Sequence, residues 1–339
     1  MQPDAAAADD RGMRRSALLV LAASLVLALA PAASADPLLP PRGKVFSGMT
    51  GGQSTDLFER QTGNHPAVFG FFTKFFGSNE FIFRGAERAG SRLMLHISTQ
   101  DGYGTREVVT PRGISRGDGD RYLVNLNRRI AQHGEPTYIR LMAEMNQANN
   151  GYAAFDKSGR SRGPAHSTEA FKQAWRRSTL ILRGGPVADI DAALHRLGLP
   201  PVKTNAEELP QPQIAMVWVP QTRGTPDIPA NMPRAYWPGD GYVDWVGTDF
   251  YSRFPNFHWL EDFYRDFGGK PFAFGEWALW GADDPGFVTR LFGWIGSHPR
   301  VRMALYNQGA LTDGPFRLNQ YPRSRAALRK ALSHRRFSL

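Results

Sequence analysis

From residue 44 to residue 306, short apolar runs alternate with longer stretches in which apolar positions recur every three or four residues among Arg, Asp and Glu. That rhythm is the sequence form of βα units around a parallel sheet. Eight runs read as strands: Lys44 to Met49, Ala67 to Phe72, Arg92 to Ser98, Thr137 to Met142, Ile214 to Val219, Val243 to Phe250, Pro271 to Gly275 and Val301 to Tyr306. Helical spacing runs over Asp120 to His133, Ser167 to Arg183, Val187 to Leu197, Phe257 to Phe267 and Pro285 to His298. The first of these helices has Asp118 or Asp120 as its candidate N-cap, and Gly134 followed by Pro136 stops it. Pro200 to Pro212 reads as an insertion before the fifth strand, and Gly48 to Gly52 as a turn, since no glycine-rich loop follows a strand in the manner of a phosphate cradle. Eight strands with helices between them predict an α/β fold, a single (β/α)8 barrel.

The N-terminal segment stands outside this rhythm. Arg11, Arg14 and Arg15 precede an apolar run from Ala17 to Ala30, which ends in Ala33-Ser34-Ala35. The run is shorter than the roughly 18 to 20 residues a membrane-spanning helix needs, and a small-x-small site follows it. Residues 1–35 are therefore expected to be a signal peptide and residues 36–339 the secreted, extracellular or wall-associated domain, with no stable membrane insertion after cleavage. The chain of 339 residues has no cysteine, so an exported form relies on its hydrophobic core, and thiol or Cys-metal chemistry is excluded. The net charge of +10 is spread as isolated Arg and Lys, densest from Arg323 to Arg336. Neither an aromatic RNA-binding signature nor a helix-turn-helix pattern accompanies it, so an anionic wall polymer suits it better than nucleic acid. No His/Asp/Glu spacing resembles a metal site, and no cofactor is expected.

Buried parallel strands are apolar nearly throughout, so a charge at a strand's carboxyl end calls for a reason. Two strands end this way. In Tyr138-Ile-Arg-Leu-Met-Ala-Glu-Met-Asn146, strand alternation puts Tyr138, Arg140, Met142 and Glu144 on one side, with Arg140 below Glu144. In Lys270-Pro-Phe-Ala-Phe-Gly-Glu-Trp277, an apolar strand again ends in a lone carboxylate, Glu276. Counted as fourth and seventh strands, the two face one mouth nearly across the barrel. A carboxyl separation of about 5 to 5.5 Å there would define double-displacement, retaining glycoside cleavage.

These segments resemble the glycoside hydrolases of clan A, and within it family 26, the β-mannanase family. Arg140-Leu-Met-Ala-Glu-Met-Asn146 is similar to the family's acid/base motif, and Phe274-Gly-Glu-Trp277 to its nucleophile strand. The stretch from Tyr236 to Tyr251 is similar to the long motif leading into strand six, and Met216-Val-Trp-Val-Pro220 to the strand before it. The resemblance spans roughly Tyr138 to Asn307. It implies Glu144 as acid/base, Glu276 as nucleophile and Tyr251 as the phenol hydrogen-bonded to the nucleophile. One departure is Ala143, where the family usually has His beside the acid/base; another is Gln147 to Tyr152 in place of the aromatic run. Those positions help to shape the subsites, so reaction type is better defined than the sugar.

Aromatics at or beyond strand ends supply candidate sugar platforms: Trp218 and Trp277 first, then Trp237, Trp280 and Tyr306. Arg140, Asn146 and Asp249 are candidate substrate-binding residues, and Asn307 could reach sugar hydroxyls. Asp244 reads as a structural partner, while His96 and Ser98 alternate on strand three, where His96 is as readily a core residue as a ligand. The expected protein is a monomeric O-glycosyl hydrolase acting on a polysaccharide or oligosaccharide, with endo-β-1,4-mannanase as the specific form. The alternatives are a glycosidase acting on a bacterial surface glycan, or a non-catalytic wall-binding barrel.

Overall fold

The computed structural model describes residues 38–52, 54–101, 106–311 and 313–337. The expected signal peptide therefore lies outside the described residues. Eight parallel strands close a barrel: β1 (Phe46–Thr50), β2 (Val68–Lys74), β3 (Arg92–Ser98), β4 (Thr137–Leu141), β5 (Ile214–Trp218), β6 (Trp245–Tyr251), β7 (Phe272–Ala278) and β8 (Val301–Asn307). They run β1-β8-β7-β6-β5-β4-β3-β2 around the ring. This is a single (β/α)8 barrel, with every strand where the apolar runs put it.

The helices around it are α1 (Thr55–Thr62), α2 (Glu80–Ala89), α3 (Pro111–Ser115), α4 (Asp120–His133), α5 (Thr168–Arg183), α6 (Val187–Arg196), α7 (Phe257–Asp266), α8 (Pro285–Ser297) and α9 (Pro322–Leu332). Helices α5, α7 and α8 begin at side-chain caps, where Ser167, Asn256 and Asp284 accept from backbone N–H groups in the first turn. The start of α4 differs from expectation. Its N-cap is Gly119, without a side-chain bond, and Asp120 turns inward to a fully buried pair with Arg177. Arg177 also donates to the carbonyls of Pro200 and Pro201, which fastens the 200–212 insertion. That insertion is fixed again where Glu208–Leu209 pairs antiparallel with Gly185–Pro186. Helices α1, α2, α3 and α9 have no counterpart in the pattern reading. Gly48 is likewise not in a turn: it lies inside β1, where an added Cβ would stand 2.2 Å from the Val68 carbonyl, and the bend begins at Gly51.

Inward-facing side chains form two layers. Phe46, Val68, Met94, Tyr138, Ala215, Val217, Trp245, Ala273, Met303 and Leu305 fill the lower barrel with apolar volume. Above them, toward the carboxyl ends of the strands, stand Thr50, His96, Arg140, Asp249, Glu276 and Asn307.

Two backbone irregularities decide which side chains reach that upper layer. Pairing of β7 with β6 steps from Thr248↔Phe274 to Asp249↔Glu276, so Gly275 is an extra, bulged residue. The bulge lets Glu276 face inward directly after inward-facing Gly275, as bulges beside active sites commonly do. Gly275 must also lack a side chain, because a Cβ there would sit 2.9 Å from Arg140 Nε and 3.1 Å from Asp249 Oδ1. We expect Gly275→Ala to cost about 1–3 kcal/mol in urea unfolding, through overpacking of an unyielding ion pair; an unchanged midpoint would contradict this packing.

The second irregularity lies after β4. Met142 and Glu144 both have positive φ, 44° and 51°. Simple alternation, which would set Met142 inward between Arg140 and Glu144, is thereby broken: Met142 is fully buried in the outer core between barrel and helices. The left-handed residues redirect the chain so that Glu144 N–H donates to the Val219 carbonyl at 2.6 Å. Left-handed backbone at two non-glycine residues is strained and persists only where surrounding contacts hold it.

Candidate active site

Arg140 is the hub of the upper layer. It is 3% exposed, and its Nη1 donates to Glu276 Oε1 at 2.5 Å while Nη2 bonds Asp249 Oδ2. Burial works against its charge, yet Asp249, Glu276 and Glu144 together raise its pKa above the usual arginine value. Nη1 also contacts His96 Nδ1 at 2.5 Å. Guanidinium nitrogens only donate, so His96 Nδ1 must accept, which puts the imidazole proton on Nε2, facing Thr50 Oγ1 at 3.2 Å. Burial first, then the charge of Arg140, lowers the His96 pKa well below its ordinary value, and the ring is neutral.

The other oxygen of Glu276 is held from β6 and β8. Tyr251 OH donates to Oε2 at 2.5 Å, and Asn307 Nδ2 donates to the same oxygen at 2.7 Å and to the Tyr251 hydroxyl at 3.1 Å. Burial, followed by the charge of Glu276, raises the Tyr251 pKa far above the usual phenol value, so the phenol keeps its proton and remains a donor. Both carboxylate oxygens of Glu276 thus face donors, the arrangement that suits an anion.

Glu144 has the opposite surroundings. Burial first, then the negative charge of Glu276, raises its pKa above the ordinary carboxylate value, against the opposing influence of Arg140 and of hydrogen bonds with Gln221 and Asp249. We expect the Glu144 titration midpoint to fall toward 4.5 in Glu276→Gln, as read from its carboxyl ¹³C shift against pH. A midpoint that does not move would mean that the two carboxyl groups do not sense one another.

Glu144 is a shared wall of two cavities, of about 690 and 750 Å³. The first is also lined by Glu276, His96, Arg140, Phe72, Lys74 and Tyr152, and the second by Asp249, Tyr251, Gln221, Phe254, Trp259 and Trp280. Together they form the two arms of a cleft across the barrel mouth.

The remaining sequence candidates divide by which side of the barrel wall they occupy. Trp280 lines the second arm beside Tyr251 and Phe316. The expectation that Trp218 and Trp277 are sugar platforms is corrected. Trp218 is fully buried against Trp237, Phe263 and Phe267, between β5 and α7, and Trp277 is buried against Phe292 and Tyr306. Alternation along β5 sends the Trp218 ring outward to the helices, and the bulge at Gly275 does the same for Trp277. Trp237 packs on Trp218 in that same cluster, and Tyr306 is fully buried with its hydroxyl on the Phe316 carbonyl, so neither offers a face to the cleft.

Asn146 is also buried. It exchanges bonds with the backbone of Gln221 and receives Thr225 N–H on its own carbonyl, which makes it a brace for the loop after β5 rather than a sugar contact. Asp244 accepts from Met216 N–H and pairs with Arg183, as a structural partner would. Sequence reasoning missed Phe72 and Phe81, exposed by 50% and 60% on the first arm. The inward series Val68, Gly70, Phe72, Lys74 along β2 carried the signal for Phe72.

The two kinds of tryptophan should respond differently to truncation. Trp218→Ala is expected to cost about 3–5 kcal/mol of stability in urea. Trp280→Ala should leave stability within about 1 kcal/mol while weakening the binding of any ligand that occupies the second arm. The converse pattern would reverse their assignments.

A closed barrel with an arginine-bridged pair of carboxylates at its carboxyl-terminal mouth defines the class of α/β-barrel proteins with an acidic catalytic-type cleft. Solved structures of family 26 glycoside hydrolases share this barrel fold. The β-mannanase of that family from Bacteroides ovatus superposes with a TM-score of 0.57 at 17% identity, covering 88% of this chain and 90% of that one. A family 26 protein from Muricauda sp. gives 0.55 at 15% identity, over 89% and 93% of the two chains. A Bacillus subtilis mannanase gives 0.53 at 15% identity, over 90% and 89%. At such identities the likeness is one of fold. No family model matches the sequence, and neither does any curated protein.

Proposed function

We propose that this chain is an exported, monomeric, retaining glycoside hydrolase that cleaves a β-linked polysaccharide, with Glu144 as acid/base and Glu276 as nucleophile. β-Mannan is the first substrate class to test, in keeping with the mannanase names of its structural neighbours. The observation that carries the reading is the contrast between two carboxyl groups on one cleft: Glu276 ringed by donors, Glu144 held toward its protonated form. Opposed environments on paired carboxyls are how acid and nucleophile roles are divided.

In the first step Glu144 gives its proton to the glycosidic oxygen as the bond from that oxygen to the anomeric carbon breaks, and Glu276 forms an ester to that carbon. The ester carries no charge, so the repulsion that helped to keep Glu144 protonated disappears. Glu144, now ionised, takes a proton from water; the water oxygen attacks the anomeric carbon and Glu276 leaves as a carboxylate. Tyr251 and Asn307 stabilise that departing charge. The leader read in residues 1–35 directs the reaction outside the cell membrane; among the described residues no helix is long and apolar enough to cross one.

The test is the anomeric configuration of the first product, followed by proton NMR during hydrolysis of β-mannan, xylan, β-glucan and isolated wall polymer. Net retention is expected. Inversion would contradict the role given to Glu276.

A further inference from the structure

Charge is unevenly distributed over the barrel mouth. At its centre three carboxyl groups, Glu144, Asp249 and Glu276, stand against a single guanidinium, Arg140, whose two terminal nitrogens are taken up by Glu276, His96 and Asp249. Among the described residues, no unengaged positive charge is left there to receive an anionic sugar. The arms have the opposite character. On the first, Lys74 lies two residues beyond Phe72 on the inward face of β2, beside Ser98 on β3. Its stem rests on the turn at Gly77, and its ammonium has no carboxylate partner among the described residues. At the rim of the second arm, exposed Arg253 lies over the rings of Trp280 and Phe254, which line that arm, at 5.2 and 5.8 Å, again with no carboxylate partner among the described residues.

Each of these cations accompanies aromatic rings that line the cleft: exposed Phe72 and Phe81 on one arm, and Phe254, 64% exposed, with half-buried Trp280 on the other. Other charges on the arms are already engaged. Arg223 pairs with Asp227 at 3.3 Å and stacks on Trp259, and the Asp101 carboxylate accepts from Arg106 N–H. A flat ring with an unpaired cation beside it suits a pyranose that presents its C–H face to the ring and a carboxylate to the cation.

Resting on the glycosidase reading above, we infer that the substrate is an anionic β-linked polysaccharide. The residue at the cleaved bond is neutral, and carboxylate-bearing sugars on either side of it are held by Lys74 and Arg253. The acidic centre excludes a uronic acid from the position of attack, and the arms select for it a few sugars away.

The probes are β-1,4-mannan and β-glucan, each compared with a preparation in which a fraction of the C6 hydroxyls has been oxidised to carboxylate. The oxidised form is expected to show a kcat/KM about fivefold or more above its parent, an advantage that shrinks in about 0.5 M NaCl. In the double variant Lys74→Met, Arg253→Met the ratio should fall to about one. Lys330→Met, which removes the same kind of charge from exposed α9, should retain it, so that a general effect of the basic surface is separated from the arms. Thermal melting of each variant reports that it is folded.

Retention in gels containing each polymer is measured in parallel with Glu276→Gln. If nothing is cleaved, yet the oxidised polymers retard the protein more than their parents and the double variant removes the difference, the glycosidase reading fails and this inference stands. Equal cleavage and equal retardation of oxidised and parent polymers, or a preference that survives the double variant, would overturn it.

Discussion

Glu276→Gln is expected to lower kcat on the preferred glycan by about 10⁴-fold or more, about 5.5 kcal/mol of transition-state stabilisation, while the protein remains folded. Glutamine has nearly the shape of glutamate and its amide oxygen can still accept from Arg140. Asp249 remains to balance the guanidinium, so no buried charge is orphaned. What disappears is the anion that attacks the anomeric carbon in the proposed mechanism, and no neighbouring side chain can replace it, because Asp249 is tied to Arg140. A reducing-end assay with matched melting curves measures this, and a wild-type-like rate would sink the assignment. Glu276→Ala with added azide provides a sharper readout. The small anion can enter the vacated space and attack in place of Glu276, giving a glycosyl azide of inverted configuration. The same treatment of Glu144→Ala should give the retained configuration, since Glu276 still forms the ester.

Arg140→Met is expected to destabilise the fold strongly. Methionine fills part of the volume but leaves Asp249 and Glu276 buried together with no cation, and removal of one partner of a buried pair typically costs about 3–5 kcal/mol. The loss should depend on pH, and its sign follows from Asp249. Burial, with Glu276 and Glu144 behind it, raises the folded pKa of Asp249 well above 3.8, and Arg140 is the largest influence that lowers it. A carboxyl whose folded pKa exceeds its unfolded value destabilises the fold as pH rises from the unfolded value through the folded one, and costs nothing when protonated in both states. Without Arg140 that window widens upward. The deficit of Arg140→Met should therefore be large near pH 7 and shrink toward about pH 4, as followed by urea unfolding at both values. Equal deficits would mean that Arg140 supports the fold through packing alone.

Much of this site was legible in one dimension. Glu144 and Glu276 stood out because a buried strand has little reason to end in a charge, and Arg140 because it interrupts an otherwise apolar strand. Trp218 and Trp277 misled for a related reason: a ring at a strand end carries no mark of which way it faces. At Trp218 the alternation of β5 sends the ring to α7. At Trp277 the phase is set by a bulge that pairing with β6 and β8 reveals and the sequence Phe274-Gly-Glu-Trp277 leaves unmarked. Met142 is the same lesson in reverse, since positive φ at two non-glycine residues is imposed by tertiary contacts such as the Val219 carbonyl.

The sequence by itself determined the barrel, because eight apolar runs of strand length separated by helical spacing leave few other ways to bury them. It also marked the pair of carboxylates, because each is a lone charge closing an apolar run, while the bulge at Gly275 and the left-handed backbone after β4 turn them toward the mouth. Only the tertiary structure decided the chemistry of their surroundings: the sharing of Arg140 between Asp249 and Glu276, the protonated phenol of Tyr251, and the cations Lys74 and Arg253 on the arms. Those relations join residues from strands far apart in the chain. Burial, proximity of charge and the direction of a side chain exist only once the ring has closed.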